Sequence, residues 1–274
     1  MGETDSKLEA KVTALRALEE IIERLRAPDG CPWDRAQTIA KMAHNILEEA
    51  CEAVDAIREG RGAPTPALCE ELGDLLMNIL LTSRIAEDGG AFGIREVAEA
   101  ILAKLVRRHP HVFRAEHVSS VEDVLRRWNA IKAEEKTGET PSVLGCLPRS
   151  LPALSAALKV GERAARVGFD WPDAGGALKK VEEELREVAE AMGIGPPAAG
   201  QSREPARIER EVGDLLFAAV NLARKSGVDP EAALRETVDR FRKRFRYIEA
   251  RTDVATASLE EVEALWNEAK VDDS

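Results

Sequence analysis

Five blocks of this sequence occur twice, in the same order. The first half reads GCPWDRAQ, NILEEACEAVDAI, EELGDLL, AILAKLVRRHPHVF and VLRRWNAIKAEEK. The second reads GFDWPDAG, KVEEELREVAEAM, EREVGDLL, TVDRFRKRFRYIE and EVEALWNEAK. The offset is roughly 135–140 residues throughout, and chance does not order five blocks. A chain written this way folds as two related units, each solving the same packing problem. We expect one domain at 1–136 and a second at 153–274. The linker at 137–152 contains Pro141, Pro148 and Pro152, which interrupt any helix.

Within each half the apolar spacing is helical. Leu8, Val12, Leu15, Leu18, Ile22 and Leu25 fall at three- and four-residue steps, as do Leu47, Ala50, Val54 and Ile57, and then Leu68, Leu72, Leu75 and Ile79. Gly89 and Gly90 predict the end of the third of these helices. Asp229–Pro230 predicts an N-cap and first turn, opening a helix through Arg246, and Ser120 and Ser258 open capping-box patterns. No alternating strand pattern is present. The fold class expected is all-α, with a four-helix-bundle-like core in each repeat. Trp33 and Trp171 are expected to anchor a helix entrance.

Composition narrows the function classes. A net charge of −11 on 274 residues is the wrong sign for coating a nucleic-acid polymer. The start MGETDSKLEAKV is not an apolar leader, and no run is long enough to span a membrane. The four cysteines follow neither zinc nor C-x-x-C spacing. A cytoplasmic protein is expected.

The acids carry the chemistry. Glu49 and Glu52 share one helix face at i, i+3, and Glu71 and Asp74 share another; Glu184, Glu187, Glu211 and Asp214 repeat the pattern. If the two helices of each repeat pack together, four carboxylates converge. Two unit charges ~5 Å apart at an effective dielectric of ~20 repel by roughly 3 kcal/mol, so the cluster calls for a hard divalent cation, Mg²⁺ or Mn²⁺. A lone E-x-x-E pair is usually a solvated face; the ordered repetition argues for a site. A di-iron bundle would need Glu-x-x-His, and no histidine stands three residues after a glutamate. Gly73 and Gly213 sit inside these helices at a cost of about 1 kcal/mol each relative to alanine, which predicts a close approach to the backbone.

A polyphosphate would also need cations. Lys104 and Arg108 recur as Arg240 and Arg244, one turn apart, and Lys180 stands one turn before Glu184. Trp128 with Lys132 recurs as Trp266 with Lys270: a tryptophan face for a base, or a core anchor, and a lysine within reach of ligand. His109 and His111 lack an acidic partner at useful spacing and are expected to be structural.

These motifs together closely resemble the MazG family of nucleoside triphosphate pyrophosphohydrolases, over nearly the whole chain and including the tandem arrangement. The resemblance implies an all-α, normally dimeric enzyme that uses Mg²⁺ to convert NTPs and dNTPs to the monophosphate and pyrophosphate. It implies that the eight acids named above are metal ligands. MAHNILEEA lacks a tyrosine frequent before the family's motif, and LLMNIL replaces an aromatic–glutamine pair; both departures fall in the first repeat. A neighbouring acid, Glu48 or Glu183, is the candidate general base. The rival readings are a non-catalytic tandem scaffold that binds nucleotides or a protein, and a phosphoesterase acting on monophosphates.

Overall fold

The computed structural model describes residues 3–114, 120–134, 142–194 and 205–271. The chain divides into two units, Met1–Thr137 and Gly138–Ser274. Among the described residues all regular structure is helical, as expected. The first unit contains α1 (Glu3–Arg26), α2 (Pro32–Arg35), α3 (Ile39–Glu59), α4 (Pro66–Asp88), α5 (Ile94–Arg108), α6 (Pro110–Phe113) and α7 (Val121–Glu134). The second contains α8 (Ala153–Ala165), α9 (Ala174–Ala191), α10 (Pro205–Lys225), α11 (Pro230–Glu249) and α12 (Leu259–Val271).

Side-chain caps set most helix starts. Thr38 accepts from the Lys41 N–H, and Thr65, followed by Pro66, accepts from the Leu68 N–H at 3.1 Å. Asp173 accepts from the Gly176 N–H, and Asp229 from those of Glu231 and Ala232. Ser120 and Ser258 accept from the N–H three residues on, at the starts of α7 and α12. α4 ends at Gly89 and α11 runs to Glu249.

In the first unit α3 and α4 pack as a hairpin, and α1 lies on α4. Ile22, Met42, Leu80 and Leu81 form the core between them. The α1 stripe is only half used: Ile22 is buried, whereas Leu8, Val12 and Leu15 stay exposed. Periodicity reports which face is apolar, not whether the chain itself covers it. In the second unit α9 packs on α10, α8 on α10, and α11 on α8 and α12. Its core is built from small residues, Ala177, Ala191, Ala218 and Ala269, with Val188, Val220 and Ile248. Gly161 on α8 sets the approach to α10, since a Cβ there would stand 2.5 Å from Asn221 Oδ1.

Trp171 packs on the start of α9, where a Cβ on Gly176 would meet its ring at 3.0 Å. Trp33 is different: it is 59% exposed on the four-residue α2, so it anchors no core. Residues 142–152 go with the second unit, where Arg163 Nη1 reaches the carbonyls of Leu144 and, at 3.4 Å, Cys146.

Candidate functional site

Each hairpin brings three glutamates together. Oxygens of Glu49 and Glu52 from α3 and of Glu71 from α4 all lie within 4.8 Å of one another. Glu184 and Glu187 from α9 and Glu211 from α10 do the same. The i, i+3 spacing puts two acids on one face, and the facing helix adds the third. Asp74 and Asp214 are exposed and stand outside these triads, one turn further along their helices.

Electrostatics follow from this crowding. Burial, and then the charge of Glu52, push the Glu49 and Glu71 carboxyls above the usual range; Asp74 adds to both, so it lies close to the cluster. Asn78, buried on α4, acts on Glu49 in the opposite direction. Its amide nitrogen nonetheless has no partner in good hydrogen-bond geometry. In the second unit burial, and then Glu184, push Glu187 up. Lys180 bridges Glu184 at 2.7 Å and Glu183 at 2.9 Å, which holds the Glu183 carboxyl below the usual range.

Glu184 is the deepest of the acids, 5% exposed, and its Oε2 is buried without any hydrogen-bond partner. A buried carboxylate oxygen left bare is costly, and an all-oxygen cluster around it suits a hard cation such as Mg²⁺, Mn²⁺ or Ca²⁺. The second triad therefore fits a divalent ion. The first offers the same donor set.

The other expected site residues are spread over the neighbouring helices. Lys104 and Arg108 lie on α5, which packs on α4, α6 and α7; Arg240 and Arg244 lie on α11, which packs on α8, α10 and α12. Arg108 sits over the Trp128 ring at 5.2 Å and Arg244 over Trp266 at 5.8 Å. Arg240 donates to Thr237 Oγ1, and Lys270 to Asn267 Oδ1. The Lys132 side chain lies outside the described residues. Glu48 is exposed, 4.0 Å from His44, and Glu183 is turned to Lys180. His109 bonds the Leu105 carbonyl oxygen through Nδ1 and meets the His111 ring at 5.7 Å.

Among the described residues a Cβ at Gly73 or Gly213 would meet nothing within 4 Å, so no described side chain accounts for either glycine.

One cation was missed. Arg207 Nε lies 3.7 Å from Glu211 Oε1, one turn before it on α10, as Lys180 stands one turn before Glu184 on α9. The same i−4 spacing would have found it. At the matching places the first repeat has Asn45 and Ala67.

A duplicated all-α hairpin that gathers carboxylates from facing helices, in the second repeat with cations one turn before two of them, defines a class: helical proteins whose facing helices present an all-oxygen donor set suited to a divalent cation. The chain belongs to the MazG family. The MazG nucleotide pyrophosphohydrolase domain matches residues 37–113 and again 176–248, each match containing one complete triad. A Thermotoga maritima protein named nucleoside triphosphate pyrophosphohydrolase/pyrophosphatase MazG is 39% identical over 92% of this chain and 94% of its own. The Escherichia coli K12 nucleoside triphosphate pyrophosphohydrolase is 41% identical over 91% and 94%. A Bacillus subtilis protein, YabN, is 43% identical over 91% of this chain but only 50% of its own.

Proposed function

We propose that the chain hydrolyses nucleoside triphosphates, ribo- and deoxyribo-, to the monophosphate and pyrophosphate, and that the second repeat carries most of the activity. The observation that carries this reading is the second triad. Glu184, Glu187 and Glu211 converge around an unpartnered buried oxygen, with Lys180 and Arg207 on the same faces. These acids, with Asp214 completing the set one turn on, would hold Mg²⁺ or Mn²⁺; Glu49, Glu52, Glu71 and Asp74 would do so in the first repeat. When bound, such an ion neutralises phosphate charge and lowers the pKa of an attacking water.

The chain's own residues do the rest. Arg240 and Arg244, with Lys270, contact the phosphates, as Lys104, Arg108 and Lys132 do in the first repeat. Lys180 and Arg207, now bonded to acids, are within one side chain of a triphosphate laid on the triad and share its charge. Glu183, or Glu48 in the first repeat, accepts the proton of a water placed beside the triad; the Lys180 hydrogen bond holds the Glu183 carboxyl below the usual range and must be released for it to act. In-line attack on the α–β anhydride then needs no nucleophilic serine or cysteine.

A homodimer accompanies this reading. Among the described residues α3 packs chiefly on α4, and α9 on α10. Leu47, Val54, Ile57 and Leu185 on α3 and α9 are left exposed. A second copy is the cover we propose.

The test is product analysis. The protein is incubated with a panel of NTPs and dNTPs, with Mg²⁺ or with EDTA. Monophosphate plus pyrophosphate, lost in EDTA, is expected. Release of orthophosphate, or no turnover with tight binding, would favour a phosphoesterase or a scaffold instead.

A further inference from the structure

The tryptophans of α7 and α12 invite a role as platforms for the base, but their surroundings point elsewhere. Arg244 stands over the Trp266 indole at 5.8 Å, and the Phe241 ring lies 5.0 Å from the same indole, inclined by 51°. Phe245 in turn stacks on Phe241 at 6.0 Å and 10°. The first repeat keeps the cation over the ring, Arg108 at 5.2 Å from Trp128, but has Leu105 where the second has Phe241. The feature common to both repeats is thus an arginine held by a tryptophan from the chain's last helix in that repeat.

We propose that Trp266 is a positioning residue that acts through Arg244, holding its guanidinium for the triphosphate, and that Trp128 does the same for Arg108. The inference rests on the reading of Arg244 as a phosphate contact.

The physical case has three steps. Arginine is a long, rotamer-rich side chain, and fixing it only when ligand arrives weakens binding. An indole face within about 6 Å attracts a cation and restricts it beforehand. The attraction of a ring face for a guanidinium acts on its charge, so it can restrict the side chain without requiring any one N–H donor. Phe241 fixes the indole in turn, by the inclined ring contact that aromatic pairs favour. A platform for the base would instead leave the ring to the ligand, whereas here two side chains of the same unit already lie against it.

The experiment uses the full-length protein. KM and kcat are measured for purine and pyrimidine triphosphates, along with inhibition by inorganic triphosphate, which has no base. The variants are Trp266→Leu, Trp266→Phe, Arg244→Gln and the Trp266→Leu/Arg244→Gln double. Trp266→Leu is expected to raise KM, and Ki for inorganic triphosphate, by the same factor of about five to ten, with kcat little changed. The factor is the same for every base, Trp266→Phe recovers most of it, and it vanishes in the Arg244→Gln background. Trp266→Met, which fills volume without a π face, gives the same comparison if Trp266→Leu does not fold. A loss that depends on the base and leaves inorganic triphosphate unaffected would overturn the proposal in favour of a base platform. So would equal losses with and without Arg244. If Arg244→Gln alone changes nothing, the phosphate role of Arg244 fails and the inference falls with it, a result separate from the other two.

Discussion

The two triads use the same residues and differ in their company. Glu184 has Lys180 at 2.7 Å and Glu211 has Arg207 at 3.7 Å; in the first repeat Asn45 and Ala67 stand where those cations would be. The second triad therefore carries its own counter-charges, and its deepest acid is 5% exposed. The first is a bare cluster in which Glu49 and Glu71 are both pushed toward the protonated form by burial and by Glu52. The first triad's own helices set no cation one turn before its acids, whereas those of the second do. The duplicated hairpin thus supplies two metal-type donor sets, of which the second carries counter-charge on the same helices.

The sharpest way to break this comparison is to neutralise each triad in turn. Glu184→Gln with Glu211→Gln is expected to lower kcat/KM by about 10³-fold or more, the scale of removing the charge stabilisation of a phosphoryl-type transition state. Glu49→Gln with Glu71→Gln is expected to cost less than about threefold. Steady-state pyrophosphate release from each variant, with circular dichroism to confirm folding, decides it; equal losses would mean that both repeats work.

The cations can then be exchanged. Lys180→Asn with Arg207→Ala, which writes the first repeat's residues into the second, is expected to raise KM by about 30- to 100-fold, since each removed cation forfeits a charge-assisted contact. The reverse change, Asn45→Lys with Ala67→Arg, is expected to raise the first repeat's contribution when assayed in the Glu184→Gln/Glu211→Gln background. No gain there would mean that the first hairpin lacks something besides counter-charge.

These variants also mark how far the sequence alone could be followed. The repeat, the helices, their caps and the convergence of Glu49 with Glu71 and of Glu184 with Glu211 all follow from spacing, because i, i+3 and i, i+4 relations are local and a hairpin adds only one packing step. Arg207 is legible in the same way, one turn before Glu211 as Lys180 stands one turn before Glu184. The partners of Trp128 and Trp266 depend on how α7 and α12 dock, which no spacing encodes. The exposure of Leu8, Val12 and Leu15 is likewise a tertiary fact: the pattern marks an apolar face, and only packing decides what meets it.

A structural pair tests whether the repeats are equally robust. Arg224 bridges Asp170 in the second unit, with Lys225 at 3.2 Å from the same carboxylate, and the two cations hold Asp170 far below the usual carboxylate range. In the first unit burial pushes Asp88 up, but hydrogen bonds from Arg26 and Arg84 outweigh it and leave its carboxyl low. A depressed folded pKa contributes stability above the unfolded value near 3.9, and that stability is lost as pH falls through the folded value. Asp170→Asn is expected to destabilise the protein by about 1.5–2 kcal/mol at pH 7, less at pH 3, because it leaves Arg224 with a weaker partner. Urea unfolding at the two pH values reads the difference; an effect independent of pH would assign the loss to packing rather than charge.

The smallest effect bears on the glycines that stand beside both triads. A Cβ at Gly73 or Gly213 meets nothing within 4 Å, so in the isolated chain alanine at either place should fit without strain. Relief of glycine's helix penalty is then expected to stabilise each unit by up to about 1 kcal/mol. Activity should separate the two positions. If triphosphate lies against the α10 backbone beside Asp214, the added methyl of Gly213→Ala is expected to raise KM severalfold while the melting temperature rises, and Gly73→Ala is expected to raise the melting temperature alone. A Gly213→Ala variant that is both more stable and fully active would remove the substrate from that face of α10. Weakened self-association of the same variant in sedimentation would place a second copy of the chain against that face instead, and unchanged self-association would leave it to solvent.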